Sequence, residues 1–182
     1  MEELALYILD IAQSSIEAGA TRIKLSLIED LPSDKLIIRI SDNGGRLRSR
    51  HLRPDLKALA AAAEICAGSF QVESKRGLGT TVIATFQHSH VDRSPLGDLP
   101  RAIINMIRML DEGNLIYSHR VVTPKGEEKF ELDTSQIREE IGEVPLSHPG
   151  VYRWLSEFIG RGEERLARIA QGRDETVVRR EP

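Results

Sequence analysis

Leu36-Ile37-Ile38-Arg39-Ile40-Ser41-Asp42-Asn43-Gly44-Gly45 carries an apolar segment straight into a carboxylate and a tight-turn signal. Leu36 to Ser41 reads as a strand, and its near-continuous apolar character places it centrally in a sheet. Asn43-Gly44 is the turn that ends it. On the N-terminal side, Leu4, Ile8, Ile11 and Ile16 recur at three-to-five-residue steps and predict a helix over residues 3–18, stopped at Gly19 within Ala18-Gly19-Ala20-Thr21. Asp10, Gln13, Ser14 and Glu17 form a polar stripe on another face of that helix. Arg22 to Glu29 alternates, with Ile23, Leu25 and Leu27 on one side, as a half-buried strand does.

On the C-terminal side, Pro54 suits the first turn of a helix running to about Ala67. Ser69–Ser74 and Thr80–Gln87 pair as strands across a turn containing Gly77-Leu78-Gly79-Thr80. His88 to Pro100 is a loop in which Asp92-Arg93 and Pro95-Leu96-Gly97-Asp98 read as an ordered hinge docking the remainder of the chain. Arg101–Leu110 follows as an amphipathic helix, then Leu115–Thr123 and Glu128–Leu132 as a hairpin around Pro124-Lys125-Gly126. Asp133 and Thr134 are fit to cap a short helix ending near Gly142. A longer helix spans Pro149 to about Ile169, with Tyr152, Trp154, Leu155, Phe158 and Ile159 expected to face the core. The expected organisation is a domain over 1–87, a small α/β domain over 88–171 and a charged, disordered tail over 172–182.

The ordered set over residues 3–87 (helix with AGAT, two strands into DNG, helix, strand, GxGT, strand) resembles the Bergerat-fold, or GHKL, ATPases: histidine kinases, gyrase B, heat-shock chaperones and MutL. That resemblance implies an α/β, two-layer sandwich of the histidine-kinase ATPase type, a mixed sheet with helices on one face, here with a small C-terminal α/β extension. It further implies that Asp42 accepts a hydrogen bond from the adenine amino group, that Thr80 supports this contact, and that Gly44, Gly77 and Gly79 keep the pocket compact.

The phosphate end departs from the family. The helix asparagine that holds magnesium is replaced by Ser14, a poorer ligand. Asp10, four residues earlier, remains as a candidate general base, and Arg46 stands where the second glycine of the family's turn belongs. The long glycine-rich lid is shortened to Arg46–Asp55. In its place stands a basic cluster that includes Arg46, Arg48, Arg50 and Arg53, candidates for contact with phosphate or an acidic partner. Phosphoryl transfer depends on positioned cations and donors. The expected function is therefore a degenerate histidine-kinase-like protein that binds ATP or ADP as a regulatory or accessory subunit, without magnesium-dependent turnover. Two alternatives stand beside it: a protein–protein module that binds no nucleotide, and an active ATPase or kinase completed by a partner. The chain also resembles small stand-alone ATP-binding proteins of anaerobic bacteria, which implies a protein partner within a hydrogenase-type redox complex; a homodimer is a further option.

The 182 residues are 40% hydrophobic and 29% charged, an ordinary globular balance. A net charge of −3 argues against a nucleic-acid surface. Met1-Glu2-Glu3 lacks the basic start of a secretory signal, no apolar run is long enough to span a membrane, and the single cysteine, Cys66, suits a reducing compartment. The expectation is a cytoplasmic protein. His88, His90 and Asp92 share one face of an extended segment and could offer a metal an N,N,O set, but His119 and His148 stand alone in sequence. A structural role is expected for these histidines, and no metal is assigned.

Overall fold

A computed structural model describes residues 2–45 and 53–172. Helix α1 (Leu4–Glu17) precedes strands β1 (Arg22–Asp30) and β2 (Lys35–Asp42), helix α2 (Pro54–Ile65) and strands β3 (Ser69–Lys75) and β4 (Gly79–Gln87). Helix α3 (Leu99–Leu110), strands β5 (Asn114–Thr123) and β6 (Gly126–Asp133), and helices α4 (Thr134–Ile141) and α5 (Pro149–Ala170) follow. The six strands form one mixed sheet in the order β3-β4-β2-β1-β5-β6, with β1 and β5 parallel and the other neighbours antiparallel. β2 lies inside it, between β4 and β1, as its apolar run requires.

Strand side chains alternate between two faces. Ile23, Leu25 and Leu27 of β1, Leu36, Ile38 and Ile40 of β2 and Val82, Ala84 and Phe86 of β4 are buried together. Fully burying each of the larger ones contributes about 1.5–3 kcal/mol. Lys24 and Arg39, on the opposite face, are exposed. α1 packs on α2 and α3, α3 packs on α5, and α4 lies beside β5. The architecture is the expected α/β layering of helices against a mixed sheet.

The boundary read after residue 87 falls between β4 and α3. The β5–β6 hairpin continues the same sheet through β1 and shares one hydrophobic core with the N-terminal elements. The connecting loop docks on α1: the Leu4 N–H donates to Pro95 C=O and the Ala5 N–H to Leu96 C=O, both at 2.9 Å. These contacts satisfy helix-start amides that Glu3, at the N-cap, leaves without a side-chain partner. Glu3 instead accepts the Asp98 N–H at 3.2 Å. α3 starts at Leu99, ahead of the expected Arg101, because Asp98 caps it by accepting the Arg101 N–H at 3.1 Å.

Trp154 departs from expectation: it is 44% exposed and stacks on Phe158 with ring centroids 5.1 Å apart. The buried stripe of α5 runs through Leu155, Ile159, Glu163, Leu166 and Ile169. Steps of three and four along that stripe leave position 154 pointing aside. Of the tail read from sequence over 172–182, residues 173–182 lie outside the described residues. No helix among the described residues is long and apolar enough to cross a membrane.

Candidate functional site

Asp42 ends β2 on the same face as Ile38 and Ile40, so its carboxylate emerges under the last turn of α1. One oxygen accepts the Ser15 hydroxyl at 2.8 Å, and the other accepts the Gly44 N–H at 2.8 Å, closing the turn. Asn43 fastens this turn to the Ala18–Thr21 segment. Its Oδ1 accepts the Thr21 and Arg22 N–H groups at 2.9 and 2.8 Å, and its Nδ2 donates to the Thr21 hydroxyl at 3.0 Å. The two sequence signals, AGAT and DNG, are thus one hydrogen-bonded unit.

Thr80 is Asp42's register partner on β4; it is buried and donates to the Ser74 hydroxyl at 3.2 Å. Gly79, at φ +95°, lies so close to β2 that a Cβ there would sit 1.8 Å from the Asp42 carbonyl oxygen. Gly44 is also pressed against the chain: its Cβ would lie 3.2 Å from the Ala20 nitrogen and the Ser15 carbonyl oxygen. Gly77, at φ +79°, faces open space and serves only its turn. Asp42, Gly44, Gly79 and Thr80 therefore meet, and Ser15 joins them. A serine on the apolar stripe of α1, 1% exposed among Ile8, Ile11 and Ala12, is the signal that marks it.

Asp10 and Ser14 lie around the helix from Ser15, in a cleft of about 490 Å³ between α1 and α2. Glu2, Glu17 and Asp55 also line it. Burial, then the charges of Glu2 and Asp55, push the Asp10 carboxyl above its usual range. Arg53 pairs with Asp55 at 3.1 Å. Arg46, Arg48 and Arg50 lie outside the described residues.

The histidines behave unlike their sequence context. His148 caps α5 by accepting the Gly150 N–H at 3.0 Å. His90 accepts the Asp92 N–H at 3.2 Å, while His88 turns away to the Glu29 carboxylate at 2.7 Å. His119, 2% exposed, is locked between Glu29 at 3.0 Å and Glu163 at 2.7 Å; Glu163 also accepts the Tyr117 hydroxyl at 2.6 Å. Burial alone would lower the His119 pKa, but hydrogen bonds and charge from Glu163 and Glu29 raise it to about 9. Burial would raise the Glu29 carboxyl, yet His119 and His88 bring it down to about 2. Tyr117 is pushed well above its usual range by burial and by Glu163. Because Glu29 pairs with Leu36 and Ile23 with Asp42, this cluster sits at the other end of β1 from Asp42, about 20 Å away at ~3.3 Å per residue. Among the described residues no group of His, Cys, Asp and Glu is arranged to hold a metal ion.

No family model matches this chain, and no curated protein matches it. Among solved structures it is similar to the MutL ATPase domain of Aquifex aeolicus complexed with ADP, at 14% identity and a TM-score of 0.42, over 78% of this chain and 68% of that one. It is also similar to the N-terminal domain of a DNA repair protein, at 16% identity and a TM-score of 0.34, over 71% of this chain and 52% of that one. Likeness at this distance says nothing of what this chain binds.

Proposed function

We propose that the protein binds an adenine nucleotide at Asp42 and serves as a regulatory or accessory subunit that does not hydrolyse it efficiently. One observation carries this reading. Asp42 is held at a sheet end with Thr80, Ser15 and Gly44 around it, while the adjoining α1–α2 cleft gathers Glu2, Asp10, Glu17 and Asp55. A carboxylate oxygen has more than one acceptor position, so Asp42 can take an exocyclic amino donor in addition to its present partners. A triphosphate in the cleft would meet carboxylates where phosphoryl transfer needs cations.

A second reading, a protein–protein module within a redox complex that binds no nucleotide, is favoured by one feature. Both Asp42 oxygens already hold donors from the chain itself.

Calorimetric titration with ATP, ADP and AMP, with and without magnesium, separates these. The proposal expects similar affinity for all three, independent of magnesium, and weakened at least tenfold by Asp42→Asn, about 1.4 kcal/mol. Absence of heat with every nucleotide would overturn the proposal and support the second reading. Magnesium dependence with a strong preference for ATP would overturn the loss of hydrolysis and point to an enzyme completed by a partner.

A further inference from the structure

We propose that the cavity beside His119 binds a small cationic ligand, an alkylamine or alkylguanidinium. The cavity, about 300 Å³, opens between the first turn of α3 and the Gly160–Ala167 stretch of α5, with the largely buried Glu29, His119 and Glu163 lining its inner wall. That volume is at the lower end for small-molecule sites.

The wall's hydrogen-bonding capacity defines the class of ligand. Both ring nitrogens of His119 are taken, by Glu29 and by Glu163, and the Tyr117 hydroxyl is spent on Glu163. The early α3 amides are spent too: Leu99 on Gly97 C=O, Arg101 on the Asp98 carboxylate and Ala102 on Asp98 C=O. What remains is acceptor capacity on Glu29 and Glu163, since each carboxylate oxygen has a second lone pair. Asp98 and Glu164, both exposed, line its mouth, so four carboxylates and one imidazole line the cavity, while His88 holds the other oxygen of Glu29 from outside it. An anion finds neither donors nor favourable charge there, whereas an N–H-rich cation finds both acceptors and charge.

Buried ionised groups are costly, and an ion cluster of this kind is weak as a stabilising device compared with apolar side chains of the same volume. Its placement on the wall of a cavity, with strongly shifted protonation, is the pattern of a working site. The walls contributed by Leu99 and Ala167 suit the methylenes of an alkyl cation. Gly160 leaves room: a Cβ built there meets nothing within 4 Å.

The test titrates the full chain with putrescine and methylguanidinium, using butyrate as anionic control and n-butanol as neutral control. Saturable binding of the cations at millimolar concentration or tighter is expected, with none for either control and a decline as salt is raised. Gly160→Leu occupies the cavity without replacing any member of the ion cluster and should weaken binding at least tenfold while circular dichroism and the melting temperature show an intact fold. Glu164→Gln should weaken it several-fold, and Glu64→Gln, an exposed acid on α2, should leave it unchanged. No saturable binding of either cation, equal binding of butyrate, or full affinity in Gly160→Leu would overturn the proposal. Because the site lies at the far end of β1 from Asp42, either result is independent of nucleotide binding.

Discussion

Replacing His119 by alanine is expected to destabilise the fold by about 3–5 kcal/mol, the cost of removing one partner from a buried ion cluster. The loss would leave Glu29 and Glu163 facing each other across the vacated ring, each 10% exposed or less, with no cation between them. The same change would loosen α5, because Glu163 is tied to the sheet by His119 and Tyr117. Urea denaturation reads the effect as a fall in midpoint at constant slope. His88→Ala should cost distinctly less, since that side chain is 20% exposed and water can replace it on Glu29. A loss below about 1 kcal/mol for His119→Ala would contradict the cluster as described.

The pH dependence has a definite sign. His119 is raised from 6.5 to about 9 in the fold, so its contribution is complete below pH 6.5 and disappears as pH rises through 9. Glu29 is lowered from 4.5 to about 2, so its contribution is complete above pH 4.5 and disappears as pH falls through 2. Both are complete only between pH 4.5 and 6.5. Stability measured across pH should plateau there and decline on the alkaline side, and His119→Ala should abolish that alkaline decline.

Gly79→Ala is expected to cost more than about 3 kcal/mol, combining a left-handed backbone with a clash that cannot relax cheaply. At φ +95°, the added Cβ would meet the Asp42 carbonyl oxygen at 1.8 Å and its carbon at 2.6 Å, both backbone atoms of the neighbouring strand. The β2–β4 pairing at Asp42 and Thr80 would have to open, which displaces the carboxylate. Gly77→Ala, two residues earlier at φ +79° with open space around it, should cost only about 1–2 kcal/mol. Thermal melts of the two variants give the contrast. Equal costs would mean that turn conformation alone, and not the close approach to β2, accounts for Gly79.

The local elements were legible to within a few residues because each carries its own signal: the 3.6-residue stripe of α1, the alternation of β1, the turn chemistry of Asn43-Gly44, and the Asp133 cap of α4. The Pro95–Asp98 segment is ordered, as its composition led one to expect, but it docks on α1 at the N-terminal end of the chain. Trp154 was misplaced because helical spacing defines a stripe but not which of two adjacent stripes faces the core; Leu155, Ile159 and Leu166 settle it. His119 read as isolated because its partners Glu29 and Glu163 stand 90 and 44 residues away. A trace of the cluster was nonetheless present. Glu29 continues the buried parity of Ile23, Leu25 and Leu27, and Glu163 interrupts the apolar stripe of α5.

The sequence by itself determined the α/β pattern, the order of the elements and the carboxylate-and-glycine outline around Asp42, since propensity, periodicity and turn chemistry act over a few neighbouring residues. Only the tertiary structure decided that Ser15 holds Asp42, that Gly79 presses on its carbonyl, and that the second half of the chain extends the same sheet through β1. It alone gathered two glutamates and a histidine onto the wall of a cavity, with the Tyr117 hydroxyl bonded to one of them from behind. Strand pairing and helix packing join residues of any sequence separation, and no local pattern records which distant carboxylate a buried imidazole will meet.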